Sequence, residues 1–188
     1  MNKLIESLVA LQAQLGQAGI QSAAVGAIAL SVWGEPRLTR DVDVKVMLQR
    51  QDAARLLEIL AAGYASLLPD PLVSLRRTGI LFVQDRWSTR LDLLLADTSF
   101  DVEAIRRSVP VELQPGATVQ VCTAEDLIIY KLVSTRPRDH ADAESVIHRQ
   151  GNLLDDDYVL DWLRQFEVAL DDSTLVSGYR RLRVQWSR

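Results

Sequence analysis

Two rhythms of apolar and polar residues alternate along this chain and divide it into helices and strands. Helical spacing runs through residues 3–17 and ends near Gly16 and Gly19. Residues 21–25 form a short strand leading into Gly26, and residues 27–33 are small and apolar enough for a helix, which Gly34-Glu35-Pro36 stops. Strict alternation follows in residues 41–46, Asp-Val-Asp-Val-Lys-Val, the period-two mark of a strand with one wet face. An amphipathic helix is predicted over 51–62, with Gly63 as its C-cap. Pro69-Asp70-Pro71 breaks the chain. Residues 79–83 and 89–95 then read as an antiparallel hairpin turning at 85–88. A short helix over 101–108, a turn at Pro115-Gly116 and a strand over 118–122 come next. Thr123 N-caps a helix reaching about residue 134, with Asp126 three residues on. Helices over 139–150, 155–169 and 173–185 complete the chain, and Gly151-Asn152 separates the first from the others. Strands gathered in the first two thirds and helices closing the chain make an α+β protein, with no internal repeat and no low-complexity stretch.

The stretch 25–46 carries the first candidate chemistry. On its strand, Asp41, Asp43 and Lys45 point one way, and Val42, Val44 and Val46 point into a core. Two carboxylates on one face repel, which is tolerated in water or with a cation between them. Mg²⁺ suits such a pair, because it takes one or two carboxylates and leaves room for substrate phosphates. The helix start at Gly26-Ala27 would present outward N–H groups to those phosphates. The alternative is a solvated sheet face that happens to carry two Asp. Asp92 poses the same choice, being the only charge in Leu91-Asp92-Leu93-Leu94-Leu95. It either faces solvent, paired with Arg90 two residues earlier, or joins Asp41 and Asp43 in a three-carboxylate cluster. A lone buried carboxylate costs several kcal/mol in order of magnitude, and the cluster accounts for all three residues at once.

A second charged region, Thr135-Arg-Pro-Arg-Asp-His-Ala-Asp142, follows the helix that carries Lys131. Asp139 and Asp142 lie three apart near a helix start, where negative charge is favoured. Arg136 and Arg138 are open to solvent, to those Asp residues or to phosphate. His140 and His148 have no evident ligand partner and read as surface or supporting residues.

Composition narrows the class. With 188 residues and 48% apolar content the chain builds one domain, or a domain with a small appended subdomain. No apolar run approaches a membrane span, and the N-terminal helix pattern lacks the features of a signal peptide. The single Cys122 lies in an apolar strand pattern as a core thiol and excludes an internal disulfide, so a cytosolic (cytoplasmic) protein is expected. The net charge of −4 argues against a general nucleic-acid coat, while Arg180-Arg181-Leu182-Arg183 is one candidate local basic patch.

Together these residues resemble the nucleotidyltransferase superfamily with the polymerase-beta-type core. Its pattern is an apolar residue, Gly and a Gly or Ser, then an acid–apolar–acid–apolar strand, then a third acid on a later strand. Val25-Gly26-Ala27, Asp41-Val42-Asp43-Val44 and Leu91-Asp92-Leu93 fill those places. Ala27 departs from the pattern: it keeps a backbone N–H but has no hydroxyl, which Ser31, one turn on, could supply. Within the superfamily the chain most resembles the AbiEii-like group, bacterial proteins that include toxins of toxin–antitoxin systems. That group carries G-x-x-R-x-T-x-D-x-D, matched by Gly34, Arg37, Thr39, Asp41 and Asp43. It then carries a helical Lys and R-x-[KR]-D-x-x-D, matched by Lys131, Arg136, Arg138, Asp139 and Asp142.

The resemblance, which covers about residues 25–146, implies a core over 1–122 and a helical subdomain over 123–188. The core would be a small mixed or antiparallel sheet with nucleotidyltransferase-type helices. The implied activity is Mg²⁺-dependent transfer of a nucleotide from an NTP to an acceptor hydroxyl, with Mn²⁺ as an alternative ion. Asp41, Asp43 and Asp92 would be the catalytic metal ligands of a two-metal site. Gly26, Ala27, Ser31, Arg37, Thr39, Lys131, Arg136 and Arg138 would bind nucleotide, with Asp139 and Asp142 orienting the basic residues. The expected acceptor is RNA such as a tRNA end, with an antitoxin protein as a further partner and no membrane role. Two alternatives stand beside it: transfer to a small molecule, as in aminoglycoside- or lincosamide-modifying relatives, and a non-catalytic binding module, for which Ala27 speaks.

Overall fold

The computed structural model describes residues 3–186. One seven-stranded mixed sheet contains β1 (Ser22–Ala24), β2 (Asp41–Val46), β3 (Tyr64–Ser66), β4 (Ile80–Asp85), β5 (Arg90–Leu95), β6 (Val109–Gln114) and β7 (Ala117–Val121). Its order is β3-β4-β5-β2-β1-β7-β6. Five helices interleave with the strands: α1 (Lys3–Gln17), α2 (Gly26–Trp33), α3 (Ala53–Leu60), α4 (Pro71–Thr78) and α5 (Ser99–Arg106). Four close the chain: α6 (Ala124–Val133), α7 (Pro137–Gln150), α8 (Asp156–Leu170) and α9 (Leu175–Gln185). The chain is thus α+β, with a mixed sheet followed by a helical region. Two compact units emerge. One holds the described residues up to Ile28 together with Leu38–Cys122, and the other holds Ala29–Arg37 together with the residues from Thr123 onward.

In the sheet unit, alternation in the sequence becomes alternation in burial. Val42, Val44 and Val46 on β2 and Leu91, Leu93 and Leu95 on β5 are almost wholly buried, as are Leu81 and Val83 on β4. Each such side chain contributes about 1.5–3 kcal/mol on leaving water, so these eight pin the register of three strands. A one-residue slip would turn them to solvent and the acids into the core. β2 pairs with β5 in parallel, while β4–β5 and β1–β2 are antiparallel. On the polar face, Lys45 forms an ion pair with Asp101 of α5. Asp101 also completes the capping box of that helix with Thr98. Cys122 is buried and in no disulfide.

In the helical unit, Thr123 caps α6 by accepting from the Asp126 N–H, and the Thr123 hydroxyl donates to the Asp126 carboxylate. Asp126 also accepts from Tyr158 of α8 at 2.7 Å. Asp156, at the start of α8, accepts from Tyr179 and Arg183 of α9. Burial and the Asp156 charge push the Tyr179 phenol far above its ordinary value.

Several local expectations change. The run Pro69-Asp70-Pro71 does not simply break the chain. Asp70 accepts from the Val73 N–H and Pro71 opens α4 with its preset φ, so the same residues start a helix. The helix expected over 51–62 is regular only at Ala53–Leu60 and ends on Ala61, not Gly63. The strands β3 and β6, absent from the pattern reading, are the two edges of the sheet. β6 carries Pro110, which an edge tolerates.

Candidate active site

The parallel register of β2 and β5 builds the site. Asp41 lies opposite Arg90, Asp43 opposite Asp92, and Lys45 opposite Leu94. Register partners carry their side chains to the same side of a sheet. Asp41, Asp43, Asp92 and Arg90 therefore share one partly exposed face, above the buried valines and leucines. Local pattern placed Asp41 and Asp43 on the wet side of β2 and left Asp92 open, and the register places Asp43 beside Asp92.

Gly26 brings the backbone of the helix start onto this cluster. Its φ is +58°, and a Cβ there would sit 2.0 Å from Asp43 Oδ2. Only glycine allows both the conformation and the approach. The Val25 N–H donates to the Asp43 carbonyl at 2.9 Å and fixes the chain just before this point. The N-terminal end of α2 lies at this point of the chain, and a helix N-terminus favours negative charge. Thr39 donates to Asp41 Oδ1 at 2.6 Å and holds that carboxylate in place. Ala27 is buried and Ser31 is exposed one turn along α2.

Arg90 clasps Asp92. Its Nε donates to Oδ1 at 2.6 Å and its Nη2 to Oδ2 at 2.9 Å, the paired geometry of a guanidinium on a carboxylate. The guanidinium carbon lies 4.5 Å from the ring centre of Phe82, the register partner of Asp92 on β4. The Asp92 hydrogen bond raises the Arg90 pKa above its ordinary value. Partial burial opposes this, and the charges of Asp92, Asp41 and Asp43 reinforce it. Arg90 thus feels all three carboxylates. Of the two sequence alternatives, the ion pair of Asp92 with Arg90 is present, and register places Asp41, Asp43 and Asp92 on one sheet face.

Carboxylate oxygens are the donors that hard divalent cations take. Among the described residues, no three His, Cys, Asp or Glu side chains are gathered into a cation cage. On the face that carries the three acids, both oxygens of Asp92 accept from Arg90.

The remaining predicted residues meet in the helical unit. Lys131 is 6% exposed, and its ammonium contacts Asp139 Oδ1 at 2.5 Å and Asp142 Oδ2 at 2.8 Å. Arg37 reaches Asp142 at 3.3 Å, and Arg136 reaches Asp139 at 2.6 Å. Ser134 donates to Asp139 at 2.7 Å. Burial pushes the Asp139 carboxyl up, but hydrogen bonds from Lys131 and Ser134 and the charges of Lys131 and Arg136 outweigh it and hold it below the usual value. The segment carrying Arg37 is lashed to α7. Arg149 donates to the Gly34 carbonyl, Gln150 to the Trp33 carbonyl, and the Glu35 N–H to Ser145. A Cβ on Gly34 would lie 2.7 Å from Ser145 Oγ. Arg138 is exposed. His140 contacts the Ser134 carbonyl at 2.6 Å, and the His148 ring centre lies 4.2 Å from that of Trp186 with the planes tilted by 51°. In the Arg180–Arg183 patch, Arg180 and Arg181 are exposed, but Arg183 turns inward to Asp156.

Pattern reading proposed neither Phe82 nor Ser134 for any role, and it considered Arg90 only as a partner for Asp92. The signal for Arg90 was its two-residue spacing from Asp92, which puts both on one strand face. Nothing local marked Phe82, because its relation to Asp92 is made by strand pairing.

No protein-family model and no curated protein matches the sequence. Solved structures do share its fold. The solution structure of the antibiotic-resistance factor ANT(2'')-Ia superposes with a TM-score of 0.53 over 94% of this chain and 90% of its own, at 13% identity. The crystal structure of ANT(2'')-Ia with adenylyl-2''-tobramycin gives 0.52 over 94% and 95%, at 14% identity. An antigenic nucleotidyltransferase-like protein from Paracoccidioides brasiliensis gives 0.52 over 77% and 75%, at 16% identity. The chain therefore has the nucleotidyltransferase fold. Among the described residues, no helix is long and apolar enough to cross a membrane.

Proposed function

We propose that this protein is a metal-dependent nucleotidyltransferase that moves a nucleotide from an NTP to an acceptor hydroxyl. One observation carries the proposal. Asp43 is flanked by Asp92, its register partner on β5, and by Gly26, whose backbone comes so close that no side chain fits. A helix start meeting paired carboxylates joins an anion-binding group to a cation-binding group, as a metal–triphosphate substrate demands.

Asp41 and Asp43 would hold Mg²⁺ or Mn²⁺ with the triphosphate, and Asp92 would complete a second ion site and draw the proton from the acceptor hydroxyl. Bound there, the ions would stabilise the attacking and leaving oxygens of an in-line displacement at the α-phosphate. Thr39 keeps Asp41 oriented. The N–H of Ala27 and the Ser31 hydroxyl serve phosphate oxygens. Arg37, Arg136 and Arg138 neutralise triphosphate charge, and buried Lys131 contributes by holding Asp139 and Asp142, which in turn position Arg37 and Arg136.

The favoured acceptor is an RNA end. Arg40, Arg86 and Arg90 lie at the start of β2, in the β4–β5 turn and at the start of β5, a basic rim beside the acids despite the acidic total. Membership of the AbiEii-like group and a toxin role with an antitoxin partner rest on the motif from Gly34 to Asp142. A small-molecule acceptor is the second reading, favoured by the fold shared with ANT(2'')-Ia, which has been seen with adenylyl-2''-tobramycin.

Transfer of label from each α-labelled NTP to total bacterial RNA with Mg²⁺ tests the proposal, with Asp43→Ala and Asp92→Ala alongside. Transfer that both variants lose, by about a thousandfold or more, is expected. NTP binding without transfer to RNA would move the acceptor to small molecules. Neither transfer nor NTP binding would leave a non-catalytic module.

A further inference from the structure

We propose that Arg90 is a tethered counter-cation that competes with the divalent ion for Asp92. This rests on the metal-site reading above. The two-residue spacing marks Arg90 as a partner for Asp92 and says nothing of an ion. Arg90 stands opposite Asp41 in the parallel register and grips both oxygens of Asp92, the carboxylate beside Asp43. Phe82, on the neighbouring strand, lies under its guanidinium. Its side chain is 45% exposed while that of Asp92 is 13% exposed, so the cation can swing outward but the carboxylate stays on the sheet face.

The physical logic is charge balance. Three carboxylates on one face repel unless a cation lies among them. Arg90 supplies that cation from within the chain, and an incoming metal must displace it to reach Asp92. A guanidinium offers donors but no acceptor, so it and a metal ion cannot share the same two oxygens. Arg90 thereby steadies the metal-free face and raises the metal concentration needed to fill it.

Mn²⁺ binding followed by electron paramagnetic resonance, without nucleotide, tests this on wild type, Arg90→Gln, Asp92→Asn and Arg90→Gln/Asp92→Asn. Arg90→Lys serves as the variant that keeps the charge and loses the two-point grip. Removing the guanidinium should tighten Mn²⁺ by about tenfold or more, the scale that a unit charge exerts at contact distance near a surface. Asp92→Asn should cancel the gain, and Arg90→Lys should fall between wild type and Arg90→Gln. If Arg90→Gln binds no more tightly than wild type while Asp92→Asn weakens wild-type binding, the competition is refuted and the metal site stands. If no protein in the set binds Mn²⁺, or Asp92→Asn changes nothing in either background, the metal-site reading falls and the Arg90 proposal falls with it.

Discussion

The two charged clusters of this protein are built to opposite plans. On the face of β2 and β5, three carboxylates meet one guanidinium, and the groups are partly exposed. In the helical unit, Asp139 and Asp142 meet three cations, Lys131, Arg37 and Arg136, and the central three groups are buried. The second cluster answers its own charges from within the chain, as burial requires. The first lies on a half-exposed strand face, where Arg90 is 45% and Asp92 13% exposed.

That contrast breaks first under mutation of the central charges. Lys131→Met should cost about 3 kcal/mol of unfolding free energy in urea, because two buried carboxylates lose their shared cation. Asp43→Asn should leave stability within about 0.5 kcal/mol of wild type, or raise it, since it relieves repulsion among the acids. Equal losses in the two variants would erase the distinction between the clusters.

Gly26→Ala sharpens the comparison from the sheet side. A left-handed φ of +58° penalises alanine, and the new methyl must push Asp43 aside. A loss of about 1–2 kcal/mol is expected, together with a fall in nucleotide transfer larger than that loss of stability explains. Chemical denaturation and the label-transfer assay measure the two parts separately. Full activity in Gly26→Ala would show that the Asp43 position is not critical.

The smallest effect is acid sensitivity in the helical cluster. Asp139 is held below its ordinary pKa of 3.8. A depressed carboxylate adds stability above its unfolded-state value, and that stability is lost as pH falls through the folded-state value. Unfolding free energy measured from pH 6 downward should therefore begin to drop near pH 4 and keep dropping below it, and Asp139→Asn should flatten the slope.

Much of the fold was legible because its signals are local. The β2 alternation assigned a face to each of six residues, and each kept that face. Helix starts at Thr123 and stops at Gly34 and Gly151 carry their own chemistry. What escaped was what local pattern states weakly. Strands β3 and β6 are sheet edges, one only three residues long and the other containing a proline. Helix α4 hid behind a Pro-Asp-Pro run that signals a break and a helix start alike.

By itself, the sequence determined which residue types the site has to work with and the face each takes on its own strand, since side-chain direction follows from the two-residue repeat of a strand. The tertiary structure alone decided who meets whom. Asp43 and Asp92 are brought level by pairing two strands that are not consecutive in the chain. Residues 29–37, from the first quarter of the chain, pack with the C-terminal helices and carry Arg37 to Asp142. Lys131, polar on paper, is sealed between two aspartates. The meetings of Asp43 with Asp92 and of Arg37 with Asp142 join residues dozens of positions apart, and their free energy exists only once the elements between them have folded and packed.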